Sequence, residues 1–198
     1  MELLIVSAAK FEVDPLLREL YKKQVNYSYF ELGVGPIHAA KKYSELEKIC
    51  AYKKVLYIGT CGSFAPFHKP YLIQAEKTYW MPTGLRSGLS HAQESWYPPL
   101  SFTHKSKLDL PKKVILTSPE LSLNPKISSK LNLGIKEELY ENMELYPIAE
   151  ALKKSPSLEI ILAVTNEIGE RGHEQWKKNF KEVALLTRDF VLDYIAEL

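Results

Sequence analysis

The stretch "LEIILAVTNEIGERGHEQW", residues 158–176, begins as an apolar run and breaks into polar residues at its end. An apolar run of this length reads as a buried strand over 158–166. Asn166, Glu167, Glu170 and Arg171 crowd the break, and Trp176 follows on what reads as a helix over 173–197. Buried strands that release polar groups at their C-terminal ends are where α/β proteins place their ligand sites. Along that helix Trp176, Phe180, Val183, Phe190 and Tyr194 recur near one face, and this spacing reads as core.

The same alternation runs outward to the N-terminus. Strands are expected at 3–8, 25–33, 54–62, 113–118 and 137–141, and helices at 13–23, 36–52 and 143–154. Pro36 suits the first position of its helix. Strands alternating with helices predict an α/β fold, three-layer α/β/α around a central mixed sheet. With no internal repeat or low-complexity linker, one domain over 1–198 is expected. Residues 80–111, rich in Pro, Ser, Gly and His, show no periodicity and read as an irregular surface excursion.

Composition removes several classes of function. The 26 basic and 24 acidic residues leave a formal charge of +2, which gives no electrostatic case for nucleic acid or an anionic membrane. Two cysteines make neither a disulfide framework nor a zinc site. The apolar N-terminal run is broken by Lys10 and Glu12, too short for a signal or membrane segment, so a cytoplasmic protein is expected. The five histidines have no metal-ligand spacing, and no metal or cofactor is expected. "GVGPIH" (33–38) opens like a dinucleotide fingerprint but carries His38 where the third glycine belongs, and its bland reading is tight packing. Cys61 in "GTCGS" lacks a partnered histidine and reads as a packed small residue rather than a nucleophile.

Three polar clusters at strand ends remain, around Glu12, Glu144 and Asn166. Each has an ordinary explanation: a carboxylate at a helix N-terminus for the first two, a cap or turn residue for Asn166. All three nevertheless leave from the C-terminal edge of one sheet.

Five segments in this order resemble the nucleoside phosphorylase and nucleosidase superfamily. They are "LLIVSAAKFEVDPLL", "GVGPIHAA", "VLYIGTCGSFAP", "YENMELYPIA" and "VTNEIGERGHEQW", covering residues 1–66 and 113–180. The last segment is most similar to futalosine hydrolases, with 5′-methylthioadenosine/S-adenosylhomocysteine nucleosidases as relatives. The resemblance implies cleavage of the N-glycosidic bond of a purine nucleoside through an oxocarbenium-like transition state. It implies Glu12 as the general base acting on water, Glu144 as acceptor of the ribose hydroxyls and Met143 as an apolar surface under the sugar. Thr60, Cys61 and Gly62 then line the pocket floor. Asn166 stands where adenosine-type nucleosidases carry Asp. An amide can donate to N7 and O6 of a 6-oxopurine, which points to an inosine-like base and to futalosine, a menaquinone precursor bearing hypoxanthine. Arg171 is a candidate for pairing with futalosine's carboxylate; its bland reading is a solvated loop residue pairing with Glu167 or Glu170. Trp176 is likewise a candidate for bordering the substrate, with core burial as its ordinary reading. The implied partner is a small-molecule nucleoside, and relatives form homodimers or larger homo-oligomers.

Departures from the family pattern keep alternatives open. Leu145, Tyr146 and Pro147 are bulky where relatives are small, and no aromatic stands near 118–126 to stack on a base. Leu121 or Leu123, or Trp80, Trp96 or Tyr97, are expected to supply that wall. The alternatives are a methylthioadenosine-type nucleosidase and a diverged, non-catalytic nucleoside-binding protein.

Overall fold

The computed structural model describes residues 2–51, 53–82, 97–103, 108–123 and 138–197. Its strands are β1 (Leu3–Ser7), β2 (Tyr27–Glu31), β3 (Lys54–Ser63), β4 (Tyr71–Trp80), β5 (Leu100–Ser101), β6 (Lys112–Thr117), β7 (Leu139–Asn142) and β8 (Ser157–Glu167). Its helices are α1 (Lys10–Lys22), α2 (Pro36–Lys41), α3 (Tyr43–Cys50), α4 (Leu145–Leu152) and α5 (Gly172–Ala196).

The central strands are apolar on both faces because both faces are covered. Leu4 and Val6 of β1, Val55 and Tyr57 of β3, and Leu158, Ile160, Leu162 and Val164 of β8 point into one core, shared with Leu46 of α3 and Ile148 and Leu152 of α4. Their neighbours Leu3, Ile5, Leu56, Ile58, Ile161 and Ala163 point into a second core with Val13, Leu16, Leu17 and Leu20 of α1 and Val183 and Val191 of α5. The three-layer α/β/α arrangement with a mixed sheet is therefore as expected.

Part of the sheet closes on itself. β2, β1, β3 and β8 run parallel. β8 pairs antiparallel with β4, β4 parallel with β6, β6 parallel with β7, and β7 returns antiparallel to Gly62 and Ser63 at the end of β3. Five strands thus close a ring, and β1 and β2 continue the sheet outward.

β4, which makes that closure, is absent from the expected elements. Its interior carries Gln74, wholly buried, whose Nε2 donates to the buried Glu159 carboxylate of β8 at 2.7 Å. A polar residue whose amide donor is paired 85 positions away carries no local strand signal. The helix expected over 36–52 is two helices, because Lys42 N–H bonds to Ala39 O, a tighter turn that interrupts the ladder. Of the irregular stretch 80–111, residues 83–96 and 104–107 lie outside the described residues, and β5 adds a short strand to β4. Among the described residues, no helix is long and apolar enough to cross a membrane, and no cluster of His, Cys, Asp and Glu is suited to hold a metal ion.

Candidate active site

The C-terminal ends of β1, β3, β7 and β8 surround a cavity of about 230 Å³. Glu12, Thr60, Cys61, Gly62, Met143, Glu144 and Asn166 all line it. Seven of the eight residues singled out from the sequence therefore converge, although they come from four separate segments.

Glu12 occupies the third position of α1, and its Oε2 accepts the N–H of Ala9 at the helix start (3.2 Å). Its ordinary reading is thus correct as far as it goes: the carboxylate closes the first turn of the helix. The other oxygen, Oε1, accepts the hydroxyl of Thr60 at 3.1 Å, which ties it to the end of β3. Burial, and then the neighbouring Glu144 carboxylate, push its pKa up to about 7, against the pull of the Ala9 and Thr60 hydrogen bonds. A carboxyl group poised near neutral pH is suited to take and return a proton.

Glu144 is buried, and burial raises its pKa too. Two donors hold it against that cost. Gly35 N–H donates to Oε1 at 2.8 Å, and Asn142 Nδ2 donates to Oε2 at 3.1 Å. Gly35 has φ +91°, a conformation that only glycine takes at little cost, so the "GVG" turn serves to aim a backbone donor at Glu144. Asn142 was not singled out from the sequence. Its Oδ1 accepts the N–H groups of Glu144 and Leu145 (2.9 and 2.8 Å), capping α4, and its Nδ2 also donates to Thr60 O at 3.0 Å. The available signal was an asparagine three residues before an apolar helix.

Asn166 and Glu141 sit opposite Gly62 in the pairings of β8 and β7 with β3. A Cβ on Gly62 would lie 2.9 Å from Asn166 Nδ2 and 2.9 Å from Ile168 Cγ1, so this close approach demands glycine. The Thr165 hydroxyl donates to Asn166 Oδ1 at 2.7 Å, and Asn166 Nδ2 donates to Glu167 O at 3.0 Å. One amide hydrogen is thereby used, and an amide has two. Glu141, also missed, is buried and lines the cavity; its carboxylate accepts Ser122 N–H at 3.0 Å and the Ser122 hydroxyl. Its signal was weak, since β7 reads as an alternating strand whose polar positions should face solvent.

Of the two readings of Trp176, bordering the site holds and core burial does not. It lines the cavity, and its Nε1–H reaches Thr60 Oγ1 at 3.3 Å. Phe11 packs edge-on against it at 5.8 Å, while His173 and Phe180 stack on it at 5.8 and 5.5 Å. Leu121 and Leu123 also line the cavity. Trp80 and Tyr97 do not line it; Trp80 packs against both Tyr97 and Tyr146, and Trp96 lies outside the described residues. Leu145 is in the core, and neither it, Tyr146 nor Pro147 narrows the cavity.

Arg171 is exposed at the start of α5 and does not line the cavity, although its neighbours Glu170 and Gly172 do. The cavity's described lining carries four carboxylates and no Lys or Arg. Cys61 is a free cysteine whose burial holds its thiol well above the usual range, which removes it as a nucleophile.

No family model and no curated protein matches this sequence. Solved structures do. The 5′-methylthioadenosine/S-adenosylhomocysteine nucleosidase of Campylobacter jejuni is similar over 100% of both chains, with TM-score 0.77 and 17% identity. A futalosine hydrolase mutant of Helicobacter pylori matches over 100% of both chains, with TM-score 0.76 and 15% identity. The Colwellia psychrerythraea nucleosidase in complex with adenine gives TM-score 0.76 at 14% identity, over 100% of this chain and 96% of that one. This chain has the fold of those nucleosidases from end to end.

Proposed function

We propose that this chain hydrolyses the N-glycosidic bond of a purine nucleoside. The observation that carries the reading is the convergence of Glu12, Glu144 and Asn166, from three distant segments, on one cavity. In this reaction Glu12 takes a proton from water as the water oxygen bonds to the anomeric carbon. The carbon–nitrogen bond breaks, its electron pair leaves on the base, and the base takes a proton from solvent that balances the one Glu12 removes from water. Glu144 accepts the ribose hydroxyls and lies near the positive charge that develops on the sugar, a charge-assisted arrangement. Met143 packs beneath the ring, and Asn166 donates to the departing base. The carboxylate-rich lining disfavours phosphate as the nucleophile, which supports hydrolysis over phosphorolysis.

For the base, a 6-oxopurine fits best. Asn166 offers its remaining N–H to the N7 and O6 side of the base, and Glu141 across Gly62 offers an acceptor for the N1–H that a 6-oxopurine has and adenine lacks. Futalosine is the substrate proposed on this ground, and with it a place in menaquinone biosynthesis. Arg171 would meet its carboxylate only from the rim. The apolar wall of Phe11, Val34, Leu121 and Leu123 favours a second reading, in which the 5′ group is an apolar thioether as in methylthioadenosine.

The test is release of free base from futalosine, inosine and methylthioadenosine, with and without phosphate. Hydrolysis of futalosine without phosphate, lost in Glu12→Gln, is expected. Faster cleavage of methylthioadenosine would overturn the base assignment, phosphate dependence would overturn hydrolysis, and no release from any would overturn the enzymatic reading.

A further inference from the structure

Thr60 stands between two groups of opposite character. Trp176 Nε1–H donates to its Oγ1 at 3.3 Å, and the same oxygen donates to Glu12 Oε1 at 3.1 Å. An indole N–H donates and never accepts, whereas a hydroxyl has one hydrogen to give. With the indole supplying one hydrogen to the threonine oxygen, that oxygen's own hydrogen is directed to the carboxylate. The indole is itself immobilised by Phe11, His173 and Phe180, and Phe11 is the residue before Glu12 on α1. The contact between α1 and α5 thus runs through both an aromatic cluster and a hydrogen-bond chain.

We propose that Trp176 is a positioning residue that acts through Thr60 to keep the Glu12 carboxylate oriented and ionised. The inference rests on the reading of Glu12 as the general base. It gives the tryptophan at the head of α5 a role separate from packing against a ligand. The hydrogen bond from Thr60 favours the charged form of Glu12, in opposition to burial and to Glu144. The other titratable groups around it are Tyr29 of β2, Tyr57 of β3 and, along the cavity wall, Glu141, Glu170 and His173. Among them His173 stacks on Trp176, a contact that a bicyclic isostere keeps, so a shift of Glu12 in the isostere reports the chain itself.

Two replacements test it. Trp176→Phe keeps an aromatic ring and deletes the donor. The isostere 3-benzothienylalanine at position 176 keeps the bicyclic shape and changes only N–H to sulfur, which guards against a packing failure. The first readout is the carboxyl ¹³C titration of Glu12 in the free protein, assigned with Glu12→Gln. Both replacements are expected to raise the Glu12 midpoint by about half a unit or more, as loss of a hydrogen bond to the charged form requires. Thr60→Val is expected to raise it at least as far, and adding Trp176→Phe to Thr60→Val to change it no further, because the two act in series. The second readout is the pH profile of kcat/KM: the acid limb moves to higher pH, with activity recovering at alkaline pH. An unchanged Glu12 midpoint in the isostere, or equal loss of activity at every pH, overturns the proposal. A shifted midpoint in a protein that cleaves no nucleoside upholds the hydrogen-bond chain and overturns the nucleosidase reading instead.

Discussion

At the scale of single residues, Glu12 works under conflict. It closes a helix turn, which favours its charge, yet burial and Glu144 oppose that charge more strongly and bring its pKa to about 7. Activity needing ionised Glu12 is expected to rise through pH 7, and Glu12→Gln to lower kcat by about 10²–10⁴-fold. Stability has the opposite sign. A carboxyl whose pKa is raised on folding binds more protons folded than unfolded, so its contribution is complete below pH 4.5 and is lost as pH rises through 7. Glu12→Gln is therefore expected to stabilise the chain at pH 8 by on the order of 2 kcal/mol and to give no gain near pH 4. Urea unfolding at the two pH values measures this; a loss of stability at pH 8 would refute it. On the proposed placement of the base, Asn166→Asp exchanges an amide donor for an acceptor, and the ratio of kcat/KM for inosine over methylthioadenosine is expected to fall by about tenfold to a hundredfold. An unchanged ratio would take Asn166 away from the base.

At the scale of elements, the segment "YENMEL" shows how a helix start and a cavity carboxylate are built together. Asn142 caps α4 and, through its amide, holds Glu144 and the end of β3. Asn142→Ala is expected to cost about 1–2 kcal/mol from the lost cap. It should also raise KM more than it lowers kcat, if Glu144 binds ribose. Denaturant midpoints and steady-state kinetics separate the two effects, and an unchanged KM would leave Asn142 a cap alone. The start of α5 is joined to β8 in the same way: Gln175 Oε1 accepts Glu167 N–H at 2.8 Å, and Asn179 Nδ2 donates to Thr165 O at 2.8 Å. These polar residues interleave with the helix's apolar face. That is why spacing alone assigned Trp176 to the core: periodicity identifies the buried side of a helix, not which part of that side meets a cavity.

At the scale of the molecule, the ring of five strands depends on β4, and β4 on a buried polar pair. Gln74→Leu removes a donor from the buried Glu159 carboxylate and is expected to lower stability by about 2–4 kcal/mol, read from the thermal or denaturant midpoint. A neutral result would mean that ring closure rests on the backbone pairing of β4 with β8 alone. The limits of the sequence follow the same physics. Apolar runs such as 3–7, 54–58 and 158–164 announced their strands because burial on both faces leaves a local mark. Glu12, Glu144 and Asn166 were legible because a polar residue just beyond a buried strand stands out against it, and their resemblance to a known order joined them. Glu141 and Asn142 were not, because each is held by a partner distant in sequence, Ser122 and Thr60; Trp176 was legible only as one of two alternatives, since its contact with Thr60 is equally distant. Arg171 was legible as a charge, but only the structure places it outside the cavity lining. The sequence by itself determined the alternation of strands and helices, the two-faced burial of the sheet and the chemical types available at its edge. The closure of the ring, the meeting of four carboxylates in one cavity and the raised pKa of Glu12 belong to the tertiary structure, since each arises from desolvation and contact between segments that the chain order keeps apart.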